Sequence, residues 1–494
     1  MRTARFIAPI IGLFVATGAG LAAQREPPSM RAIRESDLRS DLMHLASDAM
    51  RGREAGTLDE FRASVWLAER AREAGLEPAG DDGTYFQFWP MGRERVSAES
   101  RISLAGATIP LNREAFVVQP ITAQVDAPVV WIGGMPGDDL AVPLIEGKVV
   151  VADLVPPPTL PDPSASLWGF RYTLSAVRAR AAALAAYRPA AIVLVSDSIA
   201  ESMLAFVGTR NFAAGRYTLD SAAAPSSGPP VVWVSSRWRS RLMGAGRTME
   251  LSLWRETFTV PSVNVVARVT GTDRRLRHEH VLFSAHQDHD GVLPAEDGDS
   301  IWNGADDNAS VAVALLAIGR AFAENPGRRS ALFVWHGAEE KGLLGSRWHA
   351  AHPVVPADRI VAVLNADMIG RNHPDSAALL GVQPPHLNSP DLAHAALTAN
   401  ATFIGLALDT LWDRPDHPEG WYFRSDHLPY ARRGIPAVYF SSLLHPDYHT
   451  PRDAPELIDI GKVQRMARWM YATGWMVAAG NERPKLLEGF ALER

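Results

Sequence analysis

Three observations predict an α/β fold, a three-layer sandwich with a mostly parallel central mixed sheet flanked by helices and carrying a β-rich insert. Beyond residue 258 apolar strand candidates alternate with helical runs, the pattern of strand–helix–strand units. Between about 120 and 255 the pattern switches to short β-rich runs separated by Pro-rich and Ala/Ser-rich loops. The 494 residues, 47% of them hydrophobic, suffice for two or three domains at ~100–200 residues each.

The chain opens on a basic "MRTAR", an apolar "FIAPIIGLFVATGAGLA" and small residues before "QREPPS". That is the layout of a secretory signal peptide over residues 1–23, cut near Ala22 or Ala23. The rival reading, a membrane anchor, needs ~20 apolar residues, slightly more than this run offers. No later stretch is apolar enough to span a bilayer, so no membrane span is expected once the signal is removed. Export with no cysteine leaves stability to a packed core and excludes a thiol nucleophile or thiolate ligands. A net charge of −6 argues against nucleic acid as a partner.

Residues 24–119 read as the first part of the main domain. "SDLRSDLMHLAS" carries Leu38, Leu42 and Leu45 at helical spacing behind a possible Ser36 cap. "TLDEFRASVWLAERAREAG" opens on Thr57 and Glu60, a capping-box pair, and closes on Gly75. Residues 120–255 read as the insert, with "APVVWIGG", "GKVVVADLV", "AAIVLVSDS" and "PPVVWVSS" as strands and "LSAVRARAAALAAY" as a helix. It holds no convergent His, Asp and Glu set. Residues 256–494 resume the main domain, with strands expected at 280–285, 330–335, 360–366 and 435–441 and a helix over "ASVAVALLAIGRAF".

Each of these strands runs into a residue able to bind metal. The first is followed by His286 and Asp288, the second by Glu339 and Glu340, the third by Asp367, the fourth by Tyr448 and His449. Ligands of open α/β sheets collect outside the carboxyl ends of strands. Between the first two strands lies "WNGADDNAS", with Asp306 and Asp307 side by side. A helix dipole favours an anion there by only ~0.3–1 kcal/mol, and a cap needs one such side chain, not two. Asp307, Glu340 and Asp367 brought together would repel or protonate without a cation, and the nearby sequence offers too few Lys or Arg. Two divalent metals balance them, and mixed His/carboxylate ligation suits zinc.

The motifs "SAHQDHDG", "NGADDNASVAVALLAIGRAF", "WHGAEEKGLLGS", "LNADMIGR", "SDHLPYARRGIPAVYFS" and "DYHTPRD" resemble those of the co-catalytic dizinc exopeptidases, which include secreted bacterial aminopeptidases and glutamate carboxypeptidase II. "DLMHLASDAMRGREAGT" resembles the family's N-terminal segment, and the insert resembles a protease-associated domain. Val311 departs from the pattern, standing where glycine is commoner. The resemblance implies two Zn2+ per chain, one on His286 and Asp367, the other on Glu340 and His449, with Asp307 bridging. It implies Glu339 as general base for a bridging water and Tyr448 as the oxyanion's partner, although Tyr448 also reads as plain packing. Asp288 is expected to hydrogen-bond the free nitrogen of His286. Ser425, Asp426 and His427 read equally as pocket lining or as structure; His336, His349 and His352 read as structural.

A secreted aminopeptidase acting on peptide substrates is therefore the leading expectation. A carboxypeptidase or dipeptidase on the same core is the near rival. A glutaminyl cyclase needs one zinc and not the full set, and His286 argues against it. A non-catalytic receptor-like scaffold would have lost ligands, and none is lost. No Gly-x-Ser-x-Gly elbow and no His-Glu-x-x-His helix occurs.

Overall fold

The computed structural model describes residues 26–136, 139–160, 167–219, 228–244 and 246–494. The expected signal segment, residues 1–23, lies outside the described residues. The main sheet contains β1 (Phe86–Val96), β2 (Arg255–Val269), β3 (His280–His286), β4 (Ser330–His336), β5 (Ile360–Ala366), β6 (Ser376–Leu380), β7 (Ala407–Asp409) and β8 (Ala437–Ser441), in the order β7-β6-β8-β5-β3-β4-β2-β1. At its centre β4, β3, β5 and β8 are parallel. Antiparallel β2 and β1 extend one side and antiparallel β6 the other. The four central strands match the sequence expectation to within one or two residues at either end.

Helices cover both faces of this sheet. On one face lie α1 (Glu35–Leu45), α2 (Leu58–Glu73), α3 (Val311–Glu324) and the C-terminal α5 (Ile460–Ala479); on the other lies α4 (Leu344–Ala351). Parallel neighbours require crossovers, and α3 and α4 supply those from β3 to β4 and from β4 to β5. The run "VAVALLAIG" of α3 is apolar on every side and buried on every side, as an interior helix must be. Each large side chain it buries is worth ~1.5–3 kcal/mol. Phe283 of β3 meets Phe322 of α3 and Phe333 of β4 at ring distances of 5.4 and 5.2 Å. Gly474 lets α5 settle on that cluster, since a Cβ there would lie 2.1 Å from the Phe283 ring.

Local start signals are partly borne out. Thr57 caps α2, its hydroxyl accepting the Asp59 N–H at 3.2 Å, and Gly75 follows the helix at φ +84°. Glu60 closes its half of the expected box one residue further out, on the Gly56 N–H at 2.7 Å. Ser36 is not the cap of α1. The helix begins at Glu35, and the Arg34–Asp37 ion pair at 2.7 Å closes its first turn instead.

The second sheet belongs to the insert. It runs Ala107–Thr108, Arg101–Leu104, Thr248–Leu253, Ala123–Gly133, Val149–Asp153, Ala191–Val195, Val231–Val234, Ala115–Val117, with the helix Trp168–Ala185 packed on it. Residues 101–117 therefore pair here, ahead of the boundary expected at 120. Their strands are only two to four residues long and too short to show a period. The main sheet is left at Val96 and re-entered at Arg255, which face each other across β1 and β2. One strand of the insert, Arg216–Thr218, also pairs with β1 and ties the two sheets together.

Candidate metal centre

The carboxyl ends of β3, β4, β5 and β8 and the turn Ala305–Ser310 before α3 converge at one point. Asp307 stands at its middle. Its Oδ1 lies 3.1 Å from His286 Nε2, which lies 3.4 Å from Asp367 Oδ1. Its Oδ2 lies 3.2 Å from His449 Nε2, which lies 3.2 Å from Glu340 Oε1. All five residues singled out as ligands are thus brought together, in two triads that share Asp307. Among the described residues neither His286 Nε2 nor Glu340 Oε1 makes a properly angled hydrogen bond. Among these side chains His286, Asp307 and Asp367 offer donor atoms within 4.8 Å of one another, a spacing that could hold a divalent cation. His, Asp and Glu donors without sulfur fit zinc.

The backbone around Asp307 is fixed from several directions. Asp453, in the "DYHTPRD" loop, accepts the N–H groups of Asp306 and Asp307 at 3.0 Å each. Asp306 turns away and accepts the Gly370 N–H at 2.6 Å, joining this turn to the exit of β5. Ser310 caps nothing; its hydroxyl donates to Asp306 O at 2.8 Å. The two aspartates therefore have different tasks: Asp307 faces the centre and Asp306 pins the turn. Beneath them Arg53, fully buried, donates to the carbonyls of Gln287 (2.7 Å), Leu45 (3.0 Å), Asn303 (2.6 Å) and Gly304 (3.0 Å). It clamps the N-terminal segment to both loops of the site.

Asp288 corrects an expectation. The Nδ1 of His286 meets the main-chain carbonyl of Asp288 at 3.1 Å, whereas its carboxylate lies 3.9 Å away. That carboxylate instead accepts the N–H groups of Glu339 at 3.0 Å and Glu340 at 3.3 Å. Ser425, Asp426 and His427 lie inside the fold, as the structural reading of them expects. All three are fully buried under the centre. Ser425 donates to Asp367 Oδ2 at 2.9 Å, and His427 is held between the rings of Tyr422 and Tyr439. Tyr448 stands at the mouth with its ring 4.1 Å from that of His449. His336 and His349 share the Tyr430 hydroxyl, and His352 stacks on Trp348, away from the centre.

Sequence reading passed over three further residues. His289 and Asp290 follow the named Asp288 in "HQDHDG". His289 Nδ1 lies 3.0 Å from Glu340 Oε1, and Asp290 accepts from His449 Nδ1 at 2.6 Å. The third, Arg210, comes from the insert and gives no sequence signal. It donates to Asp290 at 2.8 Å and to Glu340 at 3.2 Å.

Burial is the largest influence on the pKa of Asp288, Asp306, Asp307, Glu339, Asp367, His286 and His449. It pushes Asp288 up to about 6 and, with Asp453 beside it, Asp306 up to about 8. Glu339 is raised well above the carboxylate range by burial together with Glu340 and Asp367, against the pull of His286. For Asp307 the imidazoles win: its carboxyl is held well below its ordinary value by His286 and His449 despite its burial. His286 is correspondingly raised by Asp367 and Glu339, and His449 is pushed up to about 10 by Glu340 and Asp290.

A cleft of about 590 Å³ opens over the cluster, walled on one side by Arg178, Arg210, Phe212 and Tyr217 of the insert and floored by Asp290 and Glu340. An adjoining space of about 310 Å³ is lined by Phe170, Arg171, Arg210, Arg424, Tyr448 and His449.

Residues 264–474 match the model of peptidase family M28. Among curated proteins, the aminopeptidase YwaD of Bacillus subtilis (strain 168) is 26% identical over 223 residues, covering 44% of this chain and 45% of its own. A probable leucine aminopeptidase of Arthroderma otae is 25% identical over 263 residues, covering 50% and 66%. The chain thus spans about half to two thirds of these relatives' lengths. Among solved structures, a zinc aminopeptidase from Bacillus subtilis superposes with a TM-score of 0.59 at 19% identity, over 94% of this chain and 100% of its own. An aminopeptidase from Aneurinibacillus sp. strain AM-1 gives 0.57 at 17%, over 95% and 98%. At such identities the likeness is one of fold, and it takes in both sheets.

Proposed function

Taking residues 264–474 as an M28 peptidase domain, we propose that the chain is an exported zinc aminopeptidase that removes N-terminal residues from peptides at a two-zinc centre. The observation that carries this reading is the Asp307 carboxylate, whose two oxygens face His286 Nε2 and His449 Nε2 at 3.1 and 3.2 Å. His286, Asp307 and Asp367 would hold one zinc, and Asp307, Glu340 and His449 the other. Bound there, zinc supplies Lewis acidity towards the scissile carbonyl and lowers the pKa of the attacking water. Glu339 takes the proton of that water and passes it to the leaving amine, a task suited to a carboxylate whose pKa is raised. Asp288 fixes the backbone that aims Glu339. Tyr448 lines the space beside the cluster, and its hydroxyl would donate to the developing oxyanion.

The names of the curated relatives support the amino end of the substrate. The second sheet is a protease-associated-like insert that forms one wall of the cleft, and residues 1–23 direct export. Among the described residues no helix is long and apolar enough to cross a membrane. Arg171, Arg210 and Arg424 around the mouth favour a second reading, a carboxypeptidase or dipeptidase whose substrate carboxylate meets a guanidinium.

The test is a zinc-replete assay on free, N-blocked and C-amidated peptides. Stepwise release from the amino end, abolished by N-blocking and indifferent to amidation, is expected. Release from the carboxyl end, or of dipeptides only, would transfer the assignment to the second reading, and no release at all would end both.

A further inference from the structure

We propose that His289 is a further ligand of the cation held by Asp307, Glu340 and His449, so that this cation takes four side chains where its neighbour takes three. The inference rests on the two-zinc reading and adds a residue to it. His289 follows β3 by three positions, and its ring is fully buried. Neither ring nitrogen has a properly angled hydrogen bond among the described residues. Leaving a buried polar group unpaired costs ~1–3 kcal/mol, and an imidazole kept only to fill space would be better replaced by an apolar ring.

What the ring does face is specific. Its Nδ1 lies 3.0 Å from Glu340 Oε1 and 3.9 Å from Asp307 Oδ2. Those are the same two oxygens that His449 Nε2 faces at 3.2 Å each. The three donors of His289, Asp307 and Glu340 lie within 4.8 Å of one another. A lone pair on Nδ1 aimed at a carboxylate oxygen repels it, and an N–H there is wrongly angled to donate. A cation among them satisfies the nitrogen and both oxygens at once. Space for the ring is provided by Gly304 at φ +57°, where a Cβ would come within 2.4 Å of the His289 ring. Two imidazoles and two carboxylates still leave room for water, since such centres expand to five ligands.

The test uses the full chain loaded with Co(II). Elemental analysis comes first: fewer than two metal ions per wild-type chain would end the two-zinc reading itself. With two bound, proton NMR counts the solvent-exchangeable, cobalt-shifted imidazole N–H signals. Three are expected, from His286, His289 and His449, and one should vanish in His289→Gln. Two signals in wild type, with two metals bound, would overturn the proposal while leaving the two-zinc reading intact. Chelator competition gives a second measure. Loss of an outer partner of a ligand typically costs ~10–100-fold in metal affinity, so His289→Gln should weaken one of the two ions by at least that much. Unchanged affinity for both ions would likewise overturn it.

Discussion

The carboxylate of Asp288 accepts the main-chain N–H of Glu339 at 3.0 Å, so a residue of one strand exit sets the backbone of the next. Asp288→Asn keeps the shape of this contact but removes its charge and one acceptor. Turnover should fall ~10–100-fold with both metals retained, because His286 is oriented by a main-chain carbonyl that the substitution leaves in place. Steady-state kinetics beside elemental analysis checks this. Loss of a metal with turnover per bound metal unchanged would show that Asp288 serves the ligands instead.

Adjacent Glu339 and Glu340 should separate cleanly. Glu339→Ala is expected to keep both metals and lose ~10²–10⁴-fold in kcat, the range for a proton-transfer group. Glu340→Ala should release one metal, since Oε1 faces His449 Nε2 at 3.2 Å. A Glu340→Ala chain with full metal content would refute the ligand scheme.

Asp290 orients His449 from behind, at 2.6 Å, and is itself held well below the carboxylate range by Arg210 and His449 despite its burial. Asp290→Asn should weaken metal binding ~10–100-fold in chelator competition. Equal affinity would mean that Arg210, 2.8 Å from the same Nδ1, together with the Tyr448 ring suffices to fix His449.

Glu60 makes stability depend on pH. Its carboxyl is buried at the start of α2, accepting from Ser262 Oγ at 2.6 Å, and burial pushes its pKa from 4.5 up to about 8. The folded chain therefore keeps a proton that the unfolded chain gives up above pH 4.5. Its contribution is whole below that value and is lost as pH rises through about 8, a decline on the order of a few kcal/mol. Thermal unfolding between about pH 5 and 9 checks this. Glu60→Gln, which cannot ionise, should show a decline smaller by that amount, with Asp288 and Asp306 accounting for part of the remainder; an equal decline in both proteins would place the titrating group elsewhere.

The central strands and the five converging side chains were legible in the sequence because each strand is a continuous apolar run that ends abruptly on a polar residue. Position along the chain, however, carries no direction in space. Ser425, Asp426 and His427 read as possible pocket lining, yet the turn before Leu428 points them down into the sheet. His289 and Asp290 were hidden by their neighbour, since a run of five polar residues does not say which side chains face inward. Arg210 was hidden by topology: the strand Arg216–Thr218, paired with β1, and Phe206, stacked on Trp302, bring that part of the insert over the centre. The insert began early for a related reason, its first strands being too short for periodicity to register.

The interruption between Val96 and Arg255 has a consequence for biosynthesis. β1 leaves the ribosome long before its mate β2; at ~5–20 residues per second the wait is on the order of 10–30 s. Pro90, Arg93, Glu94 and Arg95 within β1 are the kind of residues that keep a solitary strand from recruiting another copy. His449 emerges last of the proposed metal ligands, so the half of the centre it belongs to would be the last to form, and a chain truncated before that residue would carry nearly the whole sheet yet lack that histidine.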